Sequence, residues 1–399
     1  MPLNIYNEYF GSEEATEEKS AWGQLKRWKI ESCVPDSDLK FHYAPDIHDK
    51  TIFFLNLDSV SKLERGHMNF IARQLARVDG YSHSSKVVID TTLEDFVGAN
   101  YFELLHQMAM RGIPRDRIII LTSHTHTQNF ADEFYSNFKI LHYDMFASAY
   151  HNFATDKQLF REVKPRELTK HFILFMKRPR MLRMIANGFF QHRKYIDKCY
   201  YSWHYSDQTI IDQKLNLHFE TNIKRLVDWE DLWNKDYYAE NIFDEIDGSK
   251  EWIMSPKVVD SGGINLPMET HRRLDSDVFF TQNLDVLDNC FFTEKTYKNF
   301  VYGLPFIGFG IPNYENYLNK LGYMSWESMF DTKINNNSYP ECMLSYFELV
   351  DEIANMPLSK LQDLLNSEES LDRARNNQKV FNERNEIKKL ITELKELWD

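Results

Sequence analysis

Short apolar runs alternate with helix-like stretches along residues 51–142, and this alternation constrains the fold more than any other feature of the chain. Four runs have the length of a buried strand: Ile52–Leu57, Lys86–Asp90, Arg117–Thr122 and Lys139–His142. Three stretches between them are predicted to be helices: Ser59–Val78, Asn100–Arg111 and Asn129–Phe138. Such alternation predicts a doubly wound parallel sheet that meets its ligands at the carboxyl ends of the strands.

A second strand-and-helix pattern follows in the C-terminal half. His171–Met176 has the composition of a buried strand and is predicted to begin a second domain. Further on, Thr293 is predicted to cap a helix that Gly303 ends. The apolar run Leu304–Ile307 then has the length of a short, buried parallel strand.

The predicted helix start after Thr293 has the features of a phosphate site. Its first turn contains Glu294 and Lys295, where backbone N–H groups and the positive end of the helix dipole attract an anion. Lys295 can neutralise a diphosphate, and the Glu294 carboxylate can accept hydrogen bonds from paired ribose hydroxyls. We therefore predict that Thr293, Glu294 and Lys295 bind a nucleotide diphosphate.

The span 164–198 is basic within an acidic protein. It has ten Lys or Arg residues against Glu167 and Asp197, whereas the whole chain has a net charge of −13. Arginine can hold a diphosphate through two hydrogen bonds and stabilise the charge on a leaving nucleotide. Four basic residues that follow the predicted strand are expected to do this: Lys177, Arg178, Arg180 and Arg183. A solvated basic face and contact with a DNA backbone are the alternatives.

Two polar loops follow predicted strands of the N-terminal half. The loop Asp90–Asp95 has three carboxylates, and we predict that Glu94, or else Asp95, is the general base that deprotonates an acceptor hydroxyl. A capped, solvated loop is the alternative. His124 and His126 have a spacing that suits an acceptor-site lining, a metal ligand pair or a plain loop.

The motifs of the C-terminal half resemble those of a known group of enzymes. Thr293-Glu294-Lys295, followed by Asn299 and by the run 303–307, resembles the donor-binding signature of α-1,3-fucosyltransferase-type enzymes. Phe172–Arg183 and Gly322-Tyr323 resemble segments of glycosyltransferase-like proteins often carried by large viruses and tailed phages. The resemblance covers residues 172–330. It implies a GT-B-type glycosyltransferase that uses a nucleotide-sugar donor in an inverting displacement.

Pattern and resemblance together predict an α/β fold with two Rossmann-like domains that face a cleft. The acceptor-side domain is predicted to span residues 1–160, and the nucleotide-sugar-binding domain residues 161–399. Leu349–Asn366 and Ser370–Asp399 are predicted to be terminal helices that close across both domains. Residues 1–50 have an irregular pattern, and Ser261-Gly262-Gly263 is predicted to be a flexible turn.

We predict that the chain transfers a sugar from a nucleotide-diphosphate sugar, its co-substrate, to an acceptor hydroxyl. No further cofactor and no metal is predicted, because Lys295 and the arginines supply the positive charge. Asp275-Ser-Asp277 has the spacing by which some glycosyltransferases of a different fold hold a metal, but it is predicted to be a strand-entry loop. The leading acceptor is a hydroxymethylated pyrimidine in double-stranded phage DNA, and a glycan is the alternative. A catalytically silent nucleotide-binding or interaction protein is a third hypothesis.

Cysteine spacing and hydropathy favour a cytoplasmic protein, or one of the host cytoplasm if it is viral. The four cysteines form no C-x-x-C pair, so they are expected to be reduced thiols: Cys33, Cys199, Cys290 and Cys342. No apolar run approaches the roughly 20 residues that a membrane span needs. The acidic N-terminal stretch is unlike a signal peptide, and no membrane partner is predicted.

Overall fold

The structure is a computed structural model, and its chain divides into two compact units. One unit comprises Met1–Asn152 with Arg384–Asp399, and the other comprises Phe153–Glu383. The residues that the structure describes are 3–9, 39–41, 51–56, 86–90, 115–123, 139–176, 181–203, 242–243, 253–269, 292–310, 312–337, 339–383, 389–390, 392–393 and 396.

The first unit is built on a six-stranded parallel sheet. Its strands are β1 (Leu3–Tyr9), β2 (Leu39–Phe41), β3 (Thr51–Asn56), β4 (Lys86–Asp90), β5 (Ile118–Thr122) and β6 (Lys139–His142). They lie in the order β2-β1-β3-β4-β5-β6, and every neighbouring pair is parallel. The predicted strands of residues 51–142 and their parallel pairing are confirmed. The three helices predicted between them lie outside the described residues.

Burial in this sheet follows from the apolar runs. All five residues of β5 are buried, and Ile119 and Ile120 are fully so. A strand that is apolar on both faces needs cover on both faces, as in a doubly wound sheet. A short 3₁₀ turn, Arg115–Arg117, leads into β5, and helix α1 (Met145–Asp156) follows β6.

Strand β1 corrects the expectation that the first fifty residues are irregular. Its backbone pairs with β2 on one side and with β3 on the other, with Ile5 opposite both Phe41 and Ile52. The sequence of β1 contains two Asn residues and a Glu, so it lacks the apolar run by which β3, β4 and β5 were predicted. The two parallel ladders supply backbone hydrogen bonds that the local sequence does not reveal.

The second unit contains a smaller sheet. Its strands are β7 (Lys170–Met176), β8 (Cys199–Trp203), β9 (Ile242–Phe243) and β10 (Gly262–Asn265), in the order β10-β7-β8-β9. Strand β7 is parallel to β8 and to β10, and β9 is antiparallel to β8. The strand predicted at His171–Met176 is thus confirmed as the centre of this sheet.

The run predicted as a strand at Leu304–Ile307 lies beside β10. Its Phe306 forms an isolated parallel bridge with Asn265. The Asn265 N–H donates to the Pro305 carbonyl at 2.9 Å, and the Ile307 N–H donates to the Asn265 carbonyl at 3.0 Å. This segment therefore continues the parallel arrangement, although it pairs through a single bridge.

Gly262 and Gly263 are part of β10, and the prediction of a flexible turn there is wrong. A Cβ atom on Gly263 would lie 2.1 Å from the backbone oxygen of His171, and one on Gly262 would lie 2.6 Å from the Ile173 side chain. Because these glycines have no side chain, β10 can approach β7 closely. Close approach of two backbones is one of the common reasons for glycine within a strand.

Seven helices follow β7 in the described residues: α2 (Met181–His192), α3 (Pro256–Ser261), α4 (Glu294–Tyr302), α5 (Tyr314–Lys320), α6 (Tyr339–Asn355), α7 (Leu358–Leu365) and α8 (Glu368–Glu383). There are also 3₁₀ turns at Ile196–Lys198 and Glu327–Met329. The helix predicted over Leu349–Asn366 is two helices, because Pro357 precedes α7 and lacks the N–H that a continuous helix needs.

The terminal helix α8 fixes α4 in place. Phe381 of α8 stacks on Tyr297 of α4 with ring centroids 5.5 Å apart, and Gln378 donates to the Val301 carbonyl at 3.2 Å. A helix over residues 370–383 is therefore confirmed. Of the predicted helix beyond residue 383, the structure describes residues 389–390, 392–393 and 396.

Candidate functional site

Helix α4 has the start and the end that the sequence predicts. The Thr293 side chain caps it by accepting a hydrogen bond from the Lys295 N–H at 3.3 Å. Gly303 ends it in the left-handed conformation, with φ 62°, and donates to the Asn299 and Phe300 carbonyls. Glu294 and Lys295 therefore occupy the first turn.

A buried carboxylate, Glu269, lies at the start of α4. It follows β10 at the carboxyl end of that strand and is 2% exposed. The Thr293 N–H donates to its Oε1 at 2.9 Å, and the Thr293 hydroxyl donates to its Oε2 at 2.5 Å. The Thr296 hydroxyl donates to Oε1 at 2.7 Å. Three neutral donors thus converge on one carboxylate, which links the end of β10 to the first turn of α4.

Sequence reasoning missed Glu269. Its donors lie 24 and 27 residues later in the chain, so no local spacing reveals them. The available signal was an acidic residue just past Leu266-Pro267-Met268, at the carboxyl end of a strand, where α/β proteins place their functional groups.

The Lys295 ammonium lies between three oxygen atoms. It is 2.9 Å from the Thr293 hydroxyl, 3.3 Å from Oε1 of Glu294 and 3.6 Å from Oε2 of Glu269. Its side chain is 23% exposed, whereas that of Glu269 is fully buried. The ammonium is thus held by three oxygen atoms on a side chain that is partly exposed. We call Glu269, Thr293, Glu294, Lys295 and Thr296 the Glu269 cluster.

Glu294 is the second carboxylate of this cluster. Burial alone would raise the pKa of Glu294, but the positive charges of Lys295 and Lys298 and a hydrogen bond from its own backbone N–H bring that pKa below its ordinary value. The carboxylate is therefore ionised at neutral pH and is a hydrogen-bond acceptor only.

Arg183 is the described member of the predicted arginine group, and it lies beside the Glu269 cluster. It belongs to α2, is 6% exposed, and its Nη2 donates to the Met268 carbonyl at 3.4 Å. The structure thus brings Arg183 and the Thr293-Glu294-Lys295 turn to the same segment after β10. The other predicted residues, Lys177, Arg178, Arg180, Glu94 and Asp95, lie outside the described residues, as do His124, His126, Asp275 and Asp277.

Several basic residues of the span 164–198 bind the protein's own groups. Arg166 donates to the Val259 and Gly262 carbonyls at 3.1 and 3.0 Å. Lys170 and Lys198 donate to the Asp197 and Ala354 carbonyls, and Arg193 pairs with Asp351 at 3.1 Å. These contacts stabilise the strands and helices of the second unit, so the positive charge counted in the sequence overstates what the span offers to a ligand.

Asn299, a residue of the motif, has an internal role. It is 1% exposed, and its Oδ1 accepts a hydrogen bond from the Asn265 side chain at 2.5 Å. Its amide also donates to the Lys295 and Thr296 carbonyls at 3.1 and 3.0 Å. Asn299 therefore ties the first turn of α4 to β10 and sets the orientation of the cluster.

The described residues contain neither a metal-binding cluster nor a helix that could cross a membrane. No group of three or more His, Cys, Asp or Glu side chains is placed to hold a metal ion there. In the same part of the chain, no helix has the length and apolar character of a membrane span.

Comparison with known proteins shows a similarity to a solved structure. No protein-family model matches the chain, and no curated protein matches it. Among solved structures, the chain is similar to T4 phage BGT in complex with its UDP-glucose substrate, at 11% identity and with 100% of both chains covered. The TM-score is 0.36, and a similarity of this size does not establish a shared fold. The resemblance to fucosyltransferase-type enzymes stays a prediction.

Proposed function

We propose that this protein is a metal-independent glycosyltransferase of the GT-B type that uses a nucleotide-diphosphate sugar. The observation that supports this most is the Lys295 ammonium, which is held by two carboxylates at the start of α4 and at the carboxyl end of β10. A cation fixed in advance can stabilise charge that develops during a reaction without the cost of reorganising.

The residues of the Glu269 cluster divide the work of binding the donor. Lys295 would contact the diphosphate, and the ionised Glu294 carboxylate would accept hydrogen bonds from two ribose hydroxyls. Two carboxylates, Glu269 and Glu294, outnumber the one Lys295 ammonium beside them, so the diphosphate needs further cations. Lys177, Arg178 and Arg180 are the residues we propose for this, and the burial of Arg183 against Met268 suits it to supporting them.

The reaction we propose forms a bond between the acceptor oxygen and the anomeric carbon of the sugar. The bond between that carbon and the diphosphate oxygen breaks, and the diphosphate leaves with the electron pair. A loop carboxylate, Glu94 or else Asp95, takes the proton of the acceptor hydroxyl. Lys295 and the basic loop stabilise the negative charge that grows on the diphosphate.

For the acceptor we propose a hydroxymethylated pyrimidine of double-stranded DNA, with a glycan as the alternative. The exposed Lys164 and Lys194 of the span 164–198 support contact with a phosphate backbone. Such a base would have to be flipped out of the duplex for its hydroxyl to reach the donor.

The deciding experiment supplies the purified chain with a panel of nucleotide sugars and with both acceptors. Mass spectrometry should detect one added sugar on DNA that contains hydroxymethylated pyrimidines, and none on unmodified DNA. If the sugar is added to the glycan alone, the proposed acceptor is a glycan and not DNA, and the proposed reaction, glycosyl transfer, stays the same. No transfer and no donor hydrolysis with any pair would leave the silent nucleotide-binding protein as the better hypothesis.

The general base is tested by Glu94→Gln and Asp95→Asn. Loss of the base should lower turnover by roughly 10²–10⁴-fold and leave the affinity for a nucleoside diphosphate nearly unchanged. Full activity in both variants would contradict the assignment and move attention to His124 and His126.

Metal independence is tested by thermal unfolding with a nucleoside diphosphate in the presence of a chelator. Ligand at 100 times its dissociation constant should stabilise the fold by about 2.7 kcal/mol. Stabilisation by the nucleotide that requires added Mn²⁺ would overturn this part of the proposal and direct attention to Asp275 and Asp277.

A further inference from the structure

The Thr293 hydroxyl lies between the buried Glu269 carboxylate and the Lys295 ammonium. It donates to Oε2 of Glu269 at 2.5 Å and accepts from the Lys295 ammonium at 2.9 Å. It also accepts from the Lys295 backbone N–H at 3.3 Å. A hydroxyl has one hydrogen to donate and two lone pairs that accept, so these three contacts use all of its hydrogen-bonding capacity.

The direction of these hydrogen bonds follows from the chemistry of Lys295. Its ammonium and its backbone N–H can only donate, so they occupy the two lone pairs of the Thr293 oxygen. The Thr293 hydrogen must then point to Glu269, whose carboxylate accepts it. Thr293 is 4% exposed, and its hydroxyl is saturated by groups of the protein. Its side chain therefore acts on a ligand through Lys295.

The same hydroxyl keeps the ammonium at a distance from Glu269. The Lys295 nitrogen lies 3.6 Å from Oε2 of Glu269, which exceeds the length of about 2.7–2.9 Å that is typical of a charge-assisted N–H···O hydrogen bond. Oε2 accepts the Thr293 hydrogen instead. In this arrangement the Lys295 side chain stays 23% exposed, whereas the Glu269 side chain is fully buried.

We propose that Thr293 is a positioning residue, which holds the Lys295 ammonium toward a bound diphosphate and out of a direct ion pair with Glu269. This inference rests on the proposed function, in which Lys295 contacts the diphosphate of the donor. An ammonium has three N–H groups, so the hydrogen bond to Thr293 leaves others for a phosphate oxygen. Without the hydroxyl, the buried Oε2 of Glu269 would lose a donor, and the ammonium would move toward that oxygen and away from the ligand.

Thr296 gives a matched comparison on the same carboxylate. Its hydroxyl is fully buried and donates to Oε1 of Glu269 at 2.7 Å. Its second partner is the Tyr314 hydroxyl at 2.7 Å, whereas the second partner of the Thr293 hydroxyl is Lys295. Removing the Thr296 hydroxyl therefore takes a donor from Glu269 and keeps the hydrogen bond between Thr293 and Lys295.

The test measures the binding of inorganic pyrophosphate to the full chain by isothermal calorimetry. Thr293→Val keeps the shape of the side chain, and the extended backbone at this position, with φ −125°, suits valine. Thr293→Ser restores the hydroxyl, and Thr296→Val removes the equivalent donor. Lys295→Ala and the double variant with Thr293→Val complete a cycle. Urea unfolding shows that each variant is folded before it is titrated.

We expect Lys295→Ala and Thr293→Val each to weaken pyrophosphate binding by about tenfold, the size of one hydrogen bond to a charged group. Thr293→Ser should recover most of this loss. Thr296→Val should lose at least about threefold less affinity than Thr293→Val. In the Lys295→Ala background, Thr293→Val should change the affinity by less than about twofold, because the hydroxyl acts through the ammonium.

The outcomes separate this inference from the proposed function. Parent-like affinity of Thr293→Val, with weakened binding by Lys295→Ala, would overturn the inference and keep the proposed diphosphate contact. Equal losses in Thr293→Val and Thr296→Val, or an undiminished effect of Thr293→Val in the Lys295→Ala background, would show a purely structural role for Thr293 and overturn the inference too. Parent-like affinity of Lys295→Ala, or no binding of millimolar pyrophosphate by the parent, would contradict the proposed diphosphate contact itself.

Discussion

Glu269 and Glu327 are buried to a similar degree in the same unit of the protein, yet their surroundings are opposite in kind. Glu269 is 2% exposed and receives three hydrogen bonds from Thr293 and Thr296, with the Lys295 ammonium 3.6 Å away. Glu327 is 7% exposed, receives one side-chain hydrogen bond, from Tyr346, and has Glu315 as its charged neighbour. Burial therefore does not define the role of either carboxylate. The role of each carboxylate is determined by the number of hydrogen-bond donors and by the charges around it.

The two regions are joined by a pair of hydroxyl groups. The Thr296 hydroxyl donates to Glu269 and also shares a hydrogen bond with the Tyr314 hydroxyl at 2.7 Å. Tyr314 in turn lines a pocket of about 160 Å³ that Glu315 and Glu327 also line. Tyr314 therefore lies between the Glu269 cluster and the pocket that Glu327 lines, and its hydroxyl is hydrogen-bonded on the side of the cluster.

The largest effect is expected for Glu269→Gln. The carboxamide has one acceptor oxygen where the carboxylate has two, so its N–H₂ group would face the hydrogen-bond donors of Thr293 or Thr296. Lys295 would also lose a charged partner. Removing one partner from a buried ionic group costs about 3–5 kcal/mol, which urea unfolding at pH 7 should show. Glu348→Gln, exposed on α6, should stay within about 0.5 kcal/mol of the parent. Equal stability of Glu269→Gln and Glu348→Gln would show that the donors and the ammonium around Glu269 do not stabilise the fold, and the contrast with Glu327 would then be wrong.

The second prediction concerns Lys295→Ala and depends on the proposed function. Charge grows on the departing diphosphate, so a fixed cation should stabilise the transition state more than the bound donor. Turnover should fall by the equivalent of about 2.7–4 kcal/mol, and donor affinity by less. Steady-state kinetics and nucleotide titration measure the two quantities separately.

Lys298→Ala is the control for that experiment. Lys298 lies one turn further along α4 and acts on Glu294 through its charge, whereas the Lys295 ammonium donates to the Thr293 hydroxyl at 2.9 Å. It should retain most of the turnover. If both variants lose activity equally, the assignment of Lys295 to the diphosphate is wrong.

The same contrast explains how much of the molecule the sequence could predict. Strands β4 and β6 match their predicted bounds residue by residue, because apolar runs report burial directly. Helix α4 was predicted from its Thr293 cap and its Gly303 stop, which are local signals. The polar strand β1 was missed, because long-range pairing and not composition places it in the sheet.

Carboxylate clusters are harder to predict for the same reason. Glu294 and Lys295 are adjacent, so their pairing was open to inference from the chain. Glu269 reaches Thr293 across 24 residues, and Glu327 meets Tyr346 across 19 residues. Only the folded arrangement of β10, α4 and α6 brings these partners together, and a single sequence contains no sign of which acid meets which donor.

The third prediction is a pH dependence that belongs to Glu327. Its pKa of about 8 in the folded chain lies above the 4.5 of an exposed glutamate, so between these values the folded state holds one more proton than the unfolded state. Stability from this group should therefore fall as pH rises, by up to about 1.4 kcal/mol per pH unit. Glu327→Gln should lose that slope in urea unfolding at pH 5, 6 and 7.

Glu294→Gln is the control for the slope, since its sign is opposite. The pKa of Glu294 is lowered in the folded chain, so its contribution is present above the unfolded pKa and is lost only as pH falls through the lower, folded value. Between pH 5 and 7 this variant should keep the slope of the parent. Parallel curves for the parent and Glu327→Gln would show that Glu327 does not titrate in this range.

The smallest effect is expected at the link between the two regions. Thr296→Val keeps the shape of the side chain but removes a donor to Glu269 and a partner of Tyr314. Because Glu269 retains both donors from Thr293, the loss should be about 1 kcal/mol. A double-mutant cycle with Tyr314→Phe separates the two contacts: a coupling of at least about 0.5 kcal/mol is expected if the Thr296–Tyr314 hydrogen bond connects the regions. Additivity within about 0.3 kcal/mol would mean that the Thr296–Tyr314 hydrogen bond does not couple the Glu269 cluster energetically to Tyr314.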